Sequence, residues 1–252
     1  MSLAIPAAGG VAARLLERLV YPTVCPLCRA RRVAPALPGP GLDSVAAELC
    51  ADCRGGLHTV VGPWCLSCGG TLDTVLTSCN ECLRQTRRWR SGATVFRYTD
   101  LPRRLVHRYK YRGQIALVRP FAAFAAEAWR ERLDHRDQDC LVPVPLHWYR
   151  YYRRGYNQTE LLADALAPLL GLPVLHALRR IRYTGSQTYL TRAQRRTNLA
   201  RAFAPRAGVD IAGRRVLLLD DVLTTGATLD ACSRQLLKAG AASVDVLTIA
   251  RG

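Results

Sequence analysis

Residues Val216 to Thr228 read VLLLDDVLTTGAT, and this stretch decides the fold. Val216–Leu219 is a run of four apolar residues, the pattern of a central parallel strand covered on both faces. Two carboxylates, Asp220 and Asp221, follow at the expected C-terminal end of that strand. A polar loop, Thr224, Thr225, Gly226, Ala227 and Thr228, then opens a predicted helix over Ala227–Ala239, with Gly240 as its stop. Ligands of doubly wound sheets bind outside such strand ends. The loop-to-helix turn aims backbone N–H groups and the helix dipole at an anion. Gly226 lets backbone approach a phosphate with no side chain in the way, and three threonine hydroxyls add donors. Asp220 and Asp221 repel phosphate; they suit sugar hydroxyls or the water shell of Mg²⁺.

Upstream, strand and helix patterns alternate. Strands are predicted at Ala93–Tyr98, Leu141–Val144, Val174–Leu178 and Val244–Ile249. Helices are predicted at Pro102–Tyr111, Phe121–Leu133 and Thr159–Leu170, the last interrupted late by Pro168. In the first of these, Leu105 and Val106 face inward, and Arg103, Arg104, Arg108 and Lys110 face outward. The alternation predicts an α/β fold with a doubly wound, mostly parallel sheet.

The first third reads differently. Cys25/Cys28, Cys50/Cys53, Cys65/Cys68 and Cys79/Cys82 are four C-x2-C doublets, eight of the ten cysteines. Two residues between thiolates let one turn present both sulfurs to one ion, and two doublets complete a tetrahedral site. Four doublets fit two structural zinc ions. Sequential pairing closes loops of 21 and 10 residues, and we favour it over a cross-braced arrangement because each site closes the shorter loops. Gly69-Gly70 suit a turn wrapping a metal. Cys140 and Cys232 read as buried apolar residues. Val11–Val20 reads as a short amphipathic helix and Ala34–Gly41 as a Pro/Gly loop. We divide the chain at 1–90, a helix and cysteine-rich zinc-binding region, and 91–252, the α/β domain.

Charge is lopsided. The net is +17, and residues 1–82 carry 6 basic and 6 acidic side chains, so the whole excess lies beyond them. Arg84 to Arg119 holds 11 basic residues against Asp100 alone, and Arg179 to Arg206 holds 8 basic and no acidic ones. Such blocks favour a polyanionic partner, nucleic acid or phosphorylated ligands. Apolar content of 49% excludes disorder as the main state. No apolar run is long enough to span a membrane, and Arg14, Glu17 and Arg18 interrupt the only signal-like stretch, so a cytoplasmic protein is expected.

The 13 residues from Val216 resemble the phosphoribosyl-pyrophosphate (PRPP) signature of type I phosphoribosyltransferases. Together with the cysteine doublets, YKYRG at Tyr109–Gly113, VPVPL…RRGYNQ from Val142 to Gln158 and TGSQTYLTRAQRRTNLARAF from Thr184 to Phe203, they make the chain similar to the ComF competence-protein family, GntX-like members included. The resemblance implies a type I phosphoribosyltransferase fold that binds PRPP. Asp220 and Asp221 would contact the ribose 2′ and 3′ hydroxyls. Thr224–Thr228 would wrap the 5′-phosphate, and Mg²⁺ would bridge pyrophosphate and ribose oxygens. The VPVPL strand end would hold pyrophosphate, and Gln187–Arg196 would be the loop that closes the site. It also implies single-stranded DNA as a partner in DNA uptake, recombination or processing, and brings in a DNA-uptake helicase as a candidate partner.

Residue by residue, alternatives stay open. Arg153, Arg154 and Asn157 are phosphate donors by type, with Arg154 the one we assign to the ligand; Arg154 could equally bind a helix end, and Asn157 could cap the following helix. Arg195 and Arg196 cover pyrophosphate, contact nucleic acid or stay solvated. Trp89, Tyr98, Tyr109, Tyr111, Trp148, Tyr149, Tyr151 and Tyr152 offer stacking rings near the arginines. The block Arg87, Arg88 and Arg90 is expected to touch DNA without touching the phosphate loop. Three functions fit: a PRPP- and single-strand-binding competence protein, which we favour, a nucleobase or amine phosphoribosyltransferase, and a PRPP-sensing nucleic-acid regulator without turnover. The residues leave open whether transfer occurs.

Overall fold

The computed structural model describes residues 24–25, 27–28, 50–57, 60, 62–72, 77–133, 135–182, 199 and 201–252. The expected helix at Val11–Val20, the loop at Ala34–Gly41 and the basic loop Gln187–Arg196 lie outside the described residues. In chain order the elements are α1 (Ala51–Gly55), α2 (Asn80–Leu83), β1 (Gly92–Arg97), α3 (Asp100–Tyr111), α4 (Val118–Arg132), β2 (Cys140–Pro143), α5 (Trp148–Arg154), α6 (Gln158–Leu170), β3 (Leu178–Arg180), β4 (Phe203–Pro205), β5 (Arg215–Leu223), α7 (Ala227–Lys238) and β6 (Ser243–Arg251).

Four strands form one parallel sheet in the order β1-β6-β5-β2. Val216–Leu219 is its centre, and all four side chains are fully buried. Leu217 and Leu219 join the core under α4 and α6, while Val216 and Leu218 join the core under α7. That split is the period-two alternation of a strand covered on both faces.

The expected strand Val174–Leu178 is only partly realised. Val174 makes one parallel bridge to Leu141, through Leu141 N–H to Pro173 O and Leu175 N–H to Leu141 O. The next β2 residue on that edge is Pro143, which has no N–H to continue the ladder. The chain departs and pairs Leu178–Arg180 with Phe203–Pro205 as a separate antiparallel ribbon. Helix α6 runs through Pro168 to Leu170 rather than breaking there. Helix α5 was not expected: none of its residues is buried, so it carries no inward apolar stripe to read.

The cysteine-rich segment packs on the sheet. Thr94 Oγ1 on β1 donates to Cys68 O at 2.8 Å, Gly92 N–H donates to Leu66 O at 2.8 Å, and Val60 N–H donates to Val95 O at 2.9 Å. Cys25, Leu27 and Leu57 share one core with α3 and β1, and Cys65, Cys68, Leu72 and Cys82 share the other with β5, β6 and α7. Gly69 makes this approach possible. Its φ is +68°, and an added Cβ would stand 2.2 Å from Thr94 N. Gly69→Ala should therefore destabilise the protein by more than about 2 kcal/mol, because the left-handed penalty adds to a backbone clash. A thermal melt at the wild-type temperature would show that the segment docks without this contact. No helix among the described residues is long and apolar enough to cross a membrane.

Candidate active site

Strand β5 outruns its neighbour. The β2–β5 ladder ends at Pro143 and Leu219, but β5 stays paired with β6 through Asp220–Thr248 to Leu223–Arg251. The acids thus lie inside the strand, not beyond it as the sequence suggested. Adjacent strand residues point to opposite faces. Asp221 points toward α3 and α6, and the charge of Asp220 reaches the Cys232 thiol on α7.

Asp221 is held on both oxygens. Lys110 Nζ is 2.8 Å from Oδ1, and Gln158 Nε2 donates to Oδ2 at 2.8 Å. Arg154 Nη1 donates to Gln158 Oε1, and its guanidinium lies over the Tyr111 ring at 5.1 Å. Burial alone would push Asp221 up, yet Lys110 and then Gln158 outweigh it and hold the carboxyl below its ordinary value. Burial pulls Lys110 down, but Asp221 and Asp220 outweigh that and hold the ammonium above the usual lysine value. Among the described residues no such cation is in contact with Asp220. Burial, and then the neighbouring Asp221 charge, push it up to about 8. One ionised and one readily protonated carboxyl therefore share the strand end.

Lys110 corrects the outward position read from the α3 pattern. It and Gln158 were missed as site residues, although both lie in the YKYRG and RRGYNQ motifs. Lys110 is also one of only two lysines among 36 basic residues, a signal that could have found it. Asn157 is a helix cap: its Oδ1 accepts from Thr159 N–H at 3.2 Å. His147 caps α5 through Nδ1, which accepts from Tyr149 N–H at 3.2 Å. Arg195 and Arg196 lie outside the described residues.

The loop Thr224–Thr228 leads directly into α7, with Thr224 exposed and Gly226 at φ +77°. Gly226 serves a purpose the sequence did not suggest. An added Cβ would stand 2.4 Å from Arg87 Nη1 and 3.0 Å from the Trp89 ring. Arg87 Nη1 donates to Thr225 O at 2.8 Å, and its guanidinium lies over Trp89 at 5.1 Å. Trp89 Nε1 in turn donates to Ser67 O, between Cys65 and Cys68. A chain of contacts so runs from the second cysteine cluster to the carbonyl side of the loop, at Thr225 O. Arg90 is bound within the fold as well, with Asp137 and Asp245 each 2.6 Å from Nη2. The expectation that the block Arg87, Arg88 and Arg90 stands apart from the threonine loop is corrected for Arg87, which donates to Thr225 O, while Arg90 is held in an ion network and Arg88 is exposed. Trp89 and Tyr109 are buried and leave the set of stacking rings.

The cysteines group sequentially. Cys25, Cys28, Cys50 and Cys53 form one cluster and Cys65, Cys68, Cys79 and Cys82 the other, with all sulfurs of a cluster within 4.8 Å. Cys28 and Cys50 sulfurs are 3.6 Å apart, and Cys68 and Cys79 sulfurs 3.9 Å. A tetrahedron with Zn–S of about 2.3 Å requires sulfurs about 3.8 Å apart, so both clusters fit zinc and neither is a disulfide. Cys140 and Cys232 are fully buried, as expected.

Competence protein F of Haemophilus influenzae is 34% identical to this chain over 178 residues, covering 69% of this chain and 78% of that protein. The chain belongs to the ComF competence-protein family. DNA utilization protein YhgH of Salmonella typhi is 35% identical, over 69% of this chain and 77% of that protein. Competence protein ComFC of Bacillus subtilis is 29% identical, over 69% and 72%. Within this ComF chain, residues 158–252 match the phosphoribosyl transferase domain and residues 16–83 the double zinc ribbon domain. Strands β5 and β6 lie within the first match and the two cysteine clusters within the second.

Proposed function

We propose that this ComF-family protein binds PRPP at the open end of β5 and handles single-stranded DNA in competence-related uptake or utilization. The observation that carries the reading is the pair of acids on opposite faces of β5, three residues before a loop whose N–H groups open α7. In this reading Asp220 and Asp221 bind ribose hydroxyls, Thr224–Thr228 bind the 5′-phosphate, and Arg154 reaches the ligand beside Gln158. Both Asp221 oxygens already accept donors, which fits hydroxyl or water-shell contact better than direct ligation of Mg²⁺. Mg²⁺, held by PRPP oxygens, supplies charge neutralisation of the diphosphate. Lys110 keeps Asp221 ionised and Gln158 keeps it oriented. If pentosyl transfer accompanies binding, the oxocarbenium-like ribose is steadied by its hydroxyls on these acids as pyrophosphate leaves. The single-strand part draws support from the names of the relatives and the basic charge. We assign the process to the cytoplasm, where thiolates stay reduced for zinc.

Calorimetric titration with PRPP and Mg²⁺ tests the site. Asp220→Asn with Asp221→Asn should weaken binding at least about 100-fold, since each charge-assisted hydrogen bond is worth roughly 1.5–3 kcal/mol. Unchanged affinity would mean the motif is structural only. Binding near neutral pH should also release a proton, because Asp220 is protonated below about 8 and hydroxyl donors favour its ionised form. The heat should then vary with buffer ionisation enthalpy, and Asp220→Asn should abolish that variation. The same raised value means that Asp220 is more protonated in the free folded chain than in the unfolded one between the ordinary carboxyl range and about 8. The contribution of Asp220 to stability therefore falls as pH rises through that window. Screening nucleobases and nucleotides for pyrophosphate release separates this reading from a nucleobase or amine transferase.

A further inference from the structure

Helix α5 lies where an ordinary surface helix would bury an apolar stripe, yet none of its seven residues is buried. Trp148 is 71% exposed, Tyr151 50% and Tyr152 85%, and Tyr111 on the neighbouring α3 is 65% exposed. At about 100° per residue, Trp148, Tyr151 and Tyr152 share one face, and Arg150, Arg153 and Arg154 share the other. The arginine face, with Lys110, Tyr149 and Tyr156, lines a cleft of about 450 Å³ with no carboxylate in its wall among the described residues. Lys110 joins this cleft to Asp221.

We infer that α5 and this cleft form the single-strand interface, with the phosphate backbone on Arg153 and its neighbours and the bases stacked on Trp148, Tyr151 and Tyr152. The inference rests on the single-strand reading above and assigns it a surface. The two faces adjoin along one edge of the helix, where Tyr151 and Arg154 are about 60° apart, and together they match the two parts of an unpaired nucleotide chain. A duplex keeps its base faces stacked internally and has none to offer these rings. An acidic peptide would satisfy the arginines and leave the exposed rings in water. A lipid surface is planar and cannot enter a concave cleft. The placement also brings the strand beside Lys110, which pairs with Asp221.

Anisotropy titrations of a labelled oligothymidylate against the full chain test the assignment. Stacking is worth about 5- to 150-fold in affinity per base. Trp148→Ala with Tyr151→Ala and Tyr152→Ala should therefore weaken binding at least about 5-fold while leaving zinc content, melting temperature and PRPP titration unchanged. Arg153→Ala should reduce the log–log salt slope by about 0.7, one phosphate contact. Quenching of tryptophan fluorescence on binding should fall sharply in Trp148→Phe, because Trp148 is exposed while Trp89 is buried and Trp64 and Trp129 are partly buried. Wild-type affinity in the triple variant would overturn the surface assignment and leave single-strand binding standing. Ring-dependent binding to anionic vesicles or polyglutamate that equals or exceeds that to oligothymidylate would give the face to lipid or protein and overturn it as well. No binding of the wild type to oligothymidylate at low salt would overturn both the surface and the single-strand reading.

Discussion

Cys68→Ser is expected to unfold far more than the ribbon around it. Structural zinc sites contribute roughly 10–16 kcal/mol in small peptides, which rivals the roughly 5–15 kcal/mol that holds a whole domain. The second cluster is tied into the sheet on three sides. Cys68 O accepts Thr94 Oγ1, and Thr94 Oγ1 lies 2.7 Å from Thr248 Oγ1 on β6. Arg251 at the end of β6 has Nη2 3.3 Å from Cys79 Sγ. Ser67 O accepts the Trp89 indole, which backs Arg87 and so the loop at Thr225. Loss of zinc should thus lower the melting temperature of the whole chain in one transition. It should also abolish PRPP binding at temperatures where far-UV circular dichroism still reports helix. Elemental analysis of the reduced wild type should give two zinc ions per chain. Full removal of zinc by a chelator, with an unchanged melt and unchanged PRPP titration, would refute the coupling.

A second large effect is expected at the buried ion pair. Asp221→Ala leaves Lys110 without its carboxylate partner, and its side chain is only 20% exposed. Breaking one partner of a buried pair costs about 3–5 kcal/mol, mostly from the uncompensated charge. Denaturant titration should show this loss in Asp221→Ala and a similar one in Lys110→Met, where two adjacent buried carboxyls would lose their lysine. The combined variant should recover much of the stability, because no lone charge is left. Additive losses would mean that the two residues do not act as a pair. Neither single variant should retain tight PRPP binding, which separates this effect from a purely structural one.

Much of this protein was legible before any coordinates. Val216–Leu219 could only be a strand buried on both faces, because four consecutive apolar residues cannot alternate with solvent. The two acids and the threonine loop followed it in an order that any α/β strand end places at a ligand crevice. The C-x2-C doublets announced tetrahedral thiolate sites, since the local turn sets the sulfur spacing whatever the rest of the chain does. These are short-range facts, and short-range facts are written in consecutive residues. What the tertiary structure alone decided involves residues far apart in the chain. Arg87 reaches Thr225 across 138 positions, and Arg90 reaches Asp245 across 155. A run of arginines looks uniform in sequence, but the partners the fold supplies divide it into a loop support, a network ion and an exposed charge. Lys110 turned inward because Asp221 lies on β5 past Leu219, where the register with β2 stops and the register with β6 goes on. Partner choice by a charged side chain depends on which backbone strands stop and which continue, and only the folded chain specifies that.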